Sequence, residues 1–293
     1  MRQIDGYTKT CGLIGNPVEH TMSPVIHNTL AEKEGRNLVY VPFYVGRGHI
    51  KAAIEGAYAL NIYGLNVTVP YKSEVIEHLA EIDEMAEKIG AVNTLVRTQK
   101  GYKGYNTDMM GLYRAMCSEG IRLEGEDIIL LGAGGAARAV AFMCVLRGVK
   151  KVYVLNRTLD KAKQMASEVN RILETDCVKP MRIEDYGKLP GGKKYLAIQA
   201  TSVGLYPNIE DAVIEDRAFY EMLHTGFDLI YKPAKTKFMS LVKAAGGQAF
   251  HGLKMLLYQG IIAYELWNAI SVKEEDALIV YEKMKAAMGI EES

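Results

Sequence analysis

The chain has 293 residues, 49% of them hydrophobic, which is enough for two domains or one large one with a substantial core. Thirty-five basic residues balance thirty-five acidic ones, so no net field draws the protein to nucleic acid or to an anionic membrane, and a small-molecule partner is expected. The four cysteines, Cys11, Cys117, Cys144 and Cys177, show no CxxC spacing or paired framework and read as free thiols of a reducing compartment. The opening MRQIDGYTKTCGLIGNP lacks the continuous apolar segment of a signal peptide, and the apolar stretch after Ala136 is interrupted by Arg138 and Arg147 before it can span a bilayer. The expectation is a cytoplasmic protein, monomer or homodimer, with no membrane segment.

In chain order, SPVIHNTLAEKEG (23–35) predicts a helix with Ser23 as N-cap, Pro24 in the first turn and Gly35 at its end. LVYVPFYV (38–45), YGLNVTVP (63–70) and AVNTLVR (91–97) predict strands, with helical runs near 49–60 and from about 72 between them. Such alternation predicts parallel strands joined by crossover helices. A second series begins at EDIILLG and continues with a helix after Gly135, the strand KVYVL (151–155), a helix from about Leu159, and the strands YLAIQA (195–200) and GFDLI (226–230). From about Gly252, apolar residues at helical spacing in LKMLLYQGIIAYELWNAI predict helices that pack back on the first unit. The fold class is α/β, in two units.

The turn LLGAGGAARAV (130–140) joins an apolar strand to a helix. Gly132 permits a tight turn, Gly134 and Gly135 allow a pyrophosphate close to the backbone, Ala133 and Ala136 add little bulk, and Ala137 is the small third position of the usual GxGxxG pattern. Free N–H groups and the helix dipole favour a phosphate there. Taken alone, the glycines also fit a turn that packs a helix on a strand; the apolar run Ile128–Leu131 directly before them favours the phosphate site. The next strand ends in VLNRTLDK, with Asn156, Arg157, Thr158 and Lys161 where an NAD site carries an acid. Cations there suit a 2′-phosphate, so NADP is preferred over NAD; the other reading makes Arg157 and Lys161 a solvated helix start.

Four polar stretches end or follow strands in the first unit: GNPVEHTMSP (15–24), NVTVPYK (66–72), AVNT (91–94) and GYNTD (104–108). With GAGGAAR, NRT and GLKMLLYQG they closely resemble the shikimate dehydrogenase family, in the family's order and over nearly the whole chain. The resemblance implies NADP-dependent, reversible reduction of 3-dehydroshikimate to shikimate in aromatic amino acid biosynthesis. It implies a substrate domain over 1–106, a Rossmann-type NADP domain over 107–250 and C-terminal helices over 251–293 that return to the first. Lys72 and Asp108 match the catalytic pair; Thr21, Ser23, Asn66, Thr68, Asn93, Tyr231 and Gln259 match substrate contacts; Gly252 and Met255 match residues near the nicotinamide. Thr21 stands where the family often has serine, and Lys254 replaces a commonly small residue, adding a charge close to the nicotinamide pocket. A dual quinate/shikimate dehydrogenase and a catalytically silent ligand-sensing regulator are the alternatives.

Ketone reduction needs a proton for the developing alkoxide, and Lys72 can supply it as an ammonium. Burial lowers a lysine's pKa and a carboxylate beside it raises it, so Lys72 and Asp108 are read as one coupled unit with Lys72 the donor. Asp108 by itself also reads as a helix cap. Thr21, Ser23, Thr68, Asn66, Asn93 and Gln259 offer donors and acceptors to a hydroxylated substrate without adding net charge. His20 and His27 read as local hydrogen-bonding residues, and no metal is expected.

Overall fold

The computed structural model describes residues 4–290; residues 1–3 and 291–293, where the first and last predicted segments begin and finish, lie outside the described residues. The chain divides into two compact units, one built from the residues up to Gly111 together with those from Leu256 onward, the other from Leu112–Met255. Among the described residues no helix is long and apolar enough to cross a membrane.

In the first unit α1 (Ser23–Lys33), β2 (Leu38–Tyr44), α2 (Ile50–Ala59) and β3 (Gly64–Val67) follow the predicted alternation, and a strand the sequence reading did not single out, β1 (Lys9–Gly15), precedes them and pairs parallel with β2 and β3. Beyond β3 the expectation fails. No α-helix begins near 72: Glu74–His78 is a 3-10 turn, followed by the short β4 (Glu81–Ile82) and by α3 (Glu84–Ile89), which starts where Asp83 accepts the N–H groups of Met85 and Ala86. What read as one strand near 91–97 belongs to a hairpin of β5 (Thr94–Thr98) and β6 (Gly101–Tyr105), and β5 is antiparallel to both β3 and β6. A link as short as Gln99-Lys100, closed by Gly101 at φ 139°, can only reverse the chain. The sheet is therefore mixed, in the order β2-β1-β3-β5-β6-β4. Leu65, Val67, Val75, Leu95 and Tyr102 fill its core with Ile50 and Ile54 of α2.

Helix α4 (Asp108–Ser118) starts in the first unit and ends in the second. There β7 (Asp127–Leu131), α5 (Gly135–Leu146), β8 (Lys151–Asn156), α6 (Leu159–Ile172), β9 (Val178–Arg182), β10 (Tyr195–Gln199), α7 (Arg217–Glu221), β11 (Leu223–Asp228), α8 (Lys237–Ala244) and β12 (Gln248–His251) build an all-parallel sheet in the order β12-β11-β10-β7-β8-β9. The edge strands β9 and β12 escaped the sequence reading because VKPMR and QAFH lack an apolar run, and Pro180 is tolerated only at an edge. From β7 the chain proceeds outward through β8 and β9, and from β10 through β11 and β12, so the order reverses between β7 and β10. Ligands of open α/β sheets bind at such a reversal.

Helix α9 (Leu253–Asn268) leads back to the first unit, where α10 (Glu274–Met288) follows, as predicted. Gly64 admits α9: a Cβ there would lie 2.3 Å from Trp267 Nε1, which instead donates to the Leu95 carbonyl at 2.9 Å. His27 sits beneath, fully buried, stacked on Tyr40 at 4.2 Å and 4.9 Å from the Trp267 ring. Among the described residues neither ring nitrogen has a partner at hydrogen-bond geometry, although Asn66 lies close by. Burial, opposed by the nearby Asn66, pushes its pKa down to about 3, so the ring is neutral.

Candidate active site

Because β5 runs back along β3, its start lies beside the ends of both β3 and β6: Asn66 faces Thr94, and Thr94 faces Tyr105. Asn93, expected within or at the end of a strand, instead directly precedes β5, which is how it reaches the others. The Lys72 carbonyl accepts the Val92 N–H at 2.7 Å, tying that segment to the same place. Lys72 Nζ donates to Asp108 Oδ2 at 2.6 Å, and the two side chains are 33% and 21% exposed, so a ligand can reach them. Asp108 Oδ1 accepts from Asn93 Nδ2 at 2.9 Å. Asp108 is the first residue of α4, and the Met109 N–H turns to Asn106 Oδ1 at 3.4 Å.

The Asn93 amide is held on both ends. Its oxygen accepts the Thr107 N–H at 2.7 Å, its nitrogen also donates to Thr107 Oγ1 at 3.0 Å, and the Thr94 and Thr107 hydroxyls meet at 3.2 Å. Asn66 is anchored likewise: Tyr40 donates to its oxygen at 2.8 Å, and its amide protons go to Asn93 O and Thr94 Oγ1. Only the Asn66 oxygen stays open to a further donor. Sequence reasoning missed Tyr40, Thr94 and Thr107, since such residues are ordinary in strands; their adjacency to Asn93 and Asp108 in NT and NTD was the available signal.

The other residues of this unit adjoin the set. Thr21 Oγ1 and Ser23 Oγ lie 3.1 Å apart, and the Ser23 hydroxyl also lies against the Tyr40 phenol. Ser23 is not the predicted cap: Met22 holds that position without a side-chain bond, and the Thr21 hydroxyl accepts the Ser23 N–H at 3.2 Å. The Thr68 methyl covers Gly15, where a Cβ would lie 2.3 Å from it, and the Thr68 hydroxyl has no partner among the described residues. Gln259 donates to the Leu256 carbonyl, and its backbone rests on Gly111, where a Cβ would come within 2.6 Å of the Gln259 nitrogen. That close approach sets Gln259 against the first turn of α4, which Asp108 opens.

In the second unit Gly132 has φ 111°, and a Cβ there would meet Thr201 Cγ2 at 2.9 Å. Gly134 and Gly135 open α5 with empty space where a side chain would project, Ala136 is exposed, Ala133 is half-buried and Ala137 packs inside. Asn156 donates to the Thr158 carbonyl at 2.8 Å, shaping the turn into α6. Arg157 and Lys161 are exposed, and among the described residues neither side chain has an ion-pair or hydrogen-bond partner. The open N-terminus of α5, with Arg157 just past the adjacent strand β8 and Lys161 in the first turn of α6, fits a dinucleotide that carries an additional phosphate. Tyr231 is half-buried, and burial raises its phenol pKa. Gly252 is pressed against the β11 loop, where a Cβ would lie 2.1 Å from Leu229 O, and Met255 follows half-buried in α9. The charge expected on Lys254 is offset: its ammonium meets Glu119 Oε1 at 2.7 Å.

Residues 13–95 match the shikimate dehydrogenase substrate binding domain, and residues 115–183 match the shikimate / quinate 5-dehydrogenase family. Over 274 residues the chain is 40% identical to the shikimate dehydrogenase (NADP(+)) of Desulforamulus reducens, covering 92% of this chain and 93% of that one. The chain belongs to the shikimate dehydrogenase family. A crystal structure of a shikimate dehydrogenase in complex with NADP+ has a TM-score of 0.88 at 36% identity, with 99% of this chain and 98% of that one covered. Shikimate 5-dehydrogenase from Listeria monocytogenes in complex with shikimate and NAD has a TM-score of 0.87 at 31% identity, covering 98% and 99%. Within this shikimate dehydrogenase family member, Thr21 to Asn93 fall in the first matched segment and the glycine turn through Lys161 in the second; Asp108, Tyr231, Gly252, Met255 and Gln259 lie outside both.

Proposed function

We propose that the protein is an NADP-dependent shikimate dehydrogenase that interconverts 3-dehydroshikimate and shikimate. The carrying observation is the 2.6 Å contact between Lys72 and Asp108, partly open to solvent and braced by Asn93. When bound, the nicotinamide cofactor supplies the hydride in one direction and accepts it in the other. Lys72 donates a hydrogen bond and then a proton to the oxygen that becomes the alcohol, and in reverse takes that proton back. Asp108 keeps the ammonium in place and accepts from a neighbouring substrate hydroxyl. Thr21, Ser23, Thr68, the Asn66 oxygen, Asn93, Tyr231 and Gln259 meet the substrate's carboxylate and remaining hydroxyls. Gly132 through Ala136 hold the pyrophosphate; Asn156, Arg157, Thr158 and Lys161 hold the 2′-phosphate side; Gly252 and Met255 flank the nicotinamide. The four free cysteines support a reducing, cytoplasmic setting.

The test is reduction of NADP and of NAD in the presence of shikimate, quinate or neither, followed by nicotinamide absorbance. Turnover should be fastest with shikimate and NADP. Binding of both without turnover would replace this reading with a sensing role.

A further inference from the structure

Asp228 ends β11 with no exposure to solvent, and both of its oxygens are used. Oδ1 accepts the Ile230 N–H at 2.9 Å and Gln199 Nε2 at 3.3 Å, while Oδ2 accepts the Thr236 hydroxyl at 2.7 Å. Ile230 and Thr236 stand near opposite ends of the loop that leaves β11 and enters α8, so one carboxylate clasps both. Tyr231 lies between them. The peptide in front of Tyr231 is pinned on its other side as well, because the Ile230 carbonyl accepts the Gly252 N–H at 3.0 Å and the Leu229 N–H donates to Gln199 O at 3.0 Å.

Gln199 extends the same arrangement sideways. Its Oε1 accepts the Thr201 N–H at 2.5 Å and its Nε2 donates to Val203 O at 3.1 Å, and Thr201 is the residue that crowds Gly132. The backbone ladder of β11 needs none of these side-chain bonds, since its peptide groups pair with β10 and β12. A buried carboxylate is costly wherever an apolar side chain would serve, and what this one does is fix the loop.

We propose that Asp228 is a positioning residue: by clasping both ends of the Leu229–Lys235 loop it holds Tyr231 where Tyr231 meets the substrate. This inference rests on the reading of Tyr231 as a substrate-side residue of a shikimate dehydrogenase. The test is a cycle in the full-length protein of Asp228→Asn, Tyr231→Ala and the double variant, with kcat and KM for shikimate and the Kd of NADP measured for each. Asp228→Asn should lower kcat/KM for shikimate about tenfold or more while the NADP Kd moves less than about twofold; in the Tyr231→Ala background the same change should cost less than about twofold. Multiplying effects, or a Tyr231→Ala protein with normal shikimate kinetics, would overturn the proposal. Thr236→Val removes the Oδ2 bond together with the cap that the Thr236 hydroxyl gives the Met239 N–H, and should behave like Asp228→Asn, with Thr236→Ser, which keeps both, near normal; if Asp228→Asn fails to fold, the Thr236→Val cycle with Tyr231→Ala decides in the same way. A wild-type protein that turns over no shikimate would instead overturn the functional reading, and the clasp with it.

Discussion

Lys72 reaches Asp108 at 2.6 Å on one carboxylate oxygen, and Asn93 holds the other, so the carboxylate cannot turn away from the ammonium it faces. A charge-assisted bond fixed in this way aims the lysine as well as stabilising it. Lys72→Ala should lower kcat for shikimate roughly 10²–10⁴-fold, the usual range for losing a general acid–base, with NADP binding unchanged. Asp108→Ala should lower kcat and raise the shikimate KM more. The double variant should lose far less than the product of the two single losses. A near-normal kcat in Lys72→Ala would remove the lysine from proton transfer.

Arg157 stands exposed just past the end of β8 without a partner among the described residues. Arg157→Ala should weaken NADP binding about tenfold to a hundredfold, as expected for losing a charge-assisted bond of roughly 1.5–3 kcal/mol. NAD binding should barely move. Titration of both cofactors into both proteins checks this, and equal losses would make the arginine structural.

The pH dependence of stability should differ in sign between the two units. His27 has a folded pKa of about 3, below its ordinary 6.5, so its contribution is complete above pH 6.5 and is lost as pH falls toward 3. Asp228 is pushed up to about 6 from 3.8, so its contribution is complete below pH 3.8 and is lost as pH rises through 6. The titratable groups around His27 are the phenols of Tyr40 and Tyr264, and that facing Asp228 is the phenol of Tyr220. Each slope is at most about 1.4 kcal/mol per pH unit. Trp267, the chain's single tryptophan, adjoins His27 and reports the first unit by fluorescence in urea. His27→Phe should flatten the acid-side loss seen there, and Asp228→Asn should remove the opposite trend from amide exchange in β11. An unchanged slope in either variant would refute its half.

Two glycine-to-alanine changes should act in opposite directions. Gly64→Ala would put a methyl 2.3 Å from Trp267 Nε1 and should destabilise by about 1–3 kcal/mol or more, with altered tryptophan emission. Gly56 lies inside α2 with nothing near its absent Cβ, so Gly56→Ala should stabilise by about 0.5–1 kcal/mol. Thermal melts of the two proteins check the pair.

The nucleotide-binding half was legible because its strands are continuous apolar runs and its glycine turn follows one directly. Strand β9 hid behind Pro180 and β12 behind a half-exposed QAFH, as edges do. In the first half, the motifs named Lys72, Asn93 and Asp108, yet the reversal at Gln99-Lys100 that sets Thr94 beside Asn66 carries no periodicity of its own. The Glu119 partner of Lys254 was equally hidden, since it comes from the turn after α4, far away in sequence.

Leu112–Met255 is one uninterrupted stretch, whereas the other unit takes in residues from both before and after it. As the chain leaves the ribosome, the segments bearing Lys72, Asn93 and Asp108 emerge first, but Gln259 and Trp267 arrive only after the whole nucleotide unit has been made. Domains tend to fold as they emerge. The half begun first is thus the half completed last, and until Leu256 and its successors appear, Gly64 and the ring of His27 wait without their cover. A nascent chain halted short of Leu256 should carry a folded nucleotide unit beside an exposed, aggregation-prone sheet, which makes this stretch of synthesis the natural point for chaperone attention.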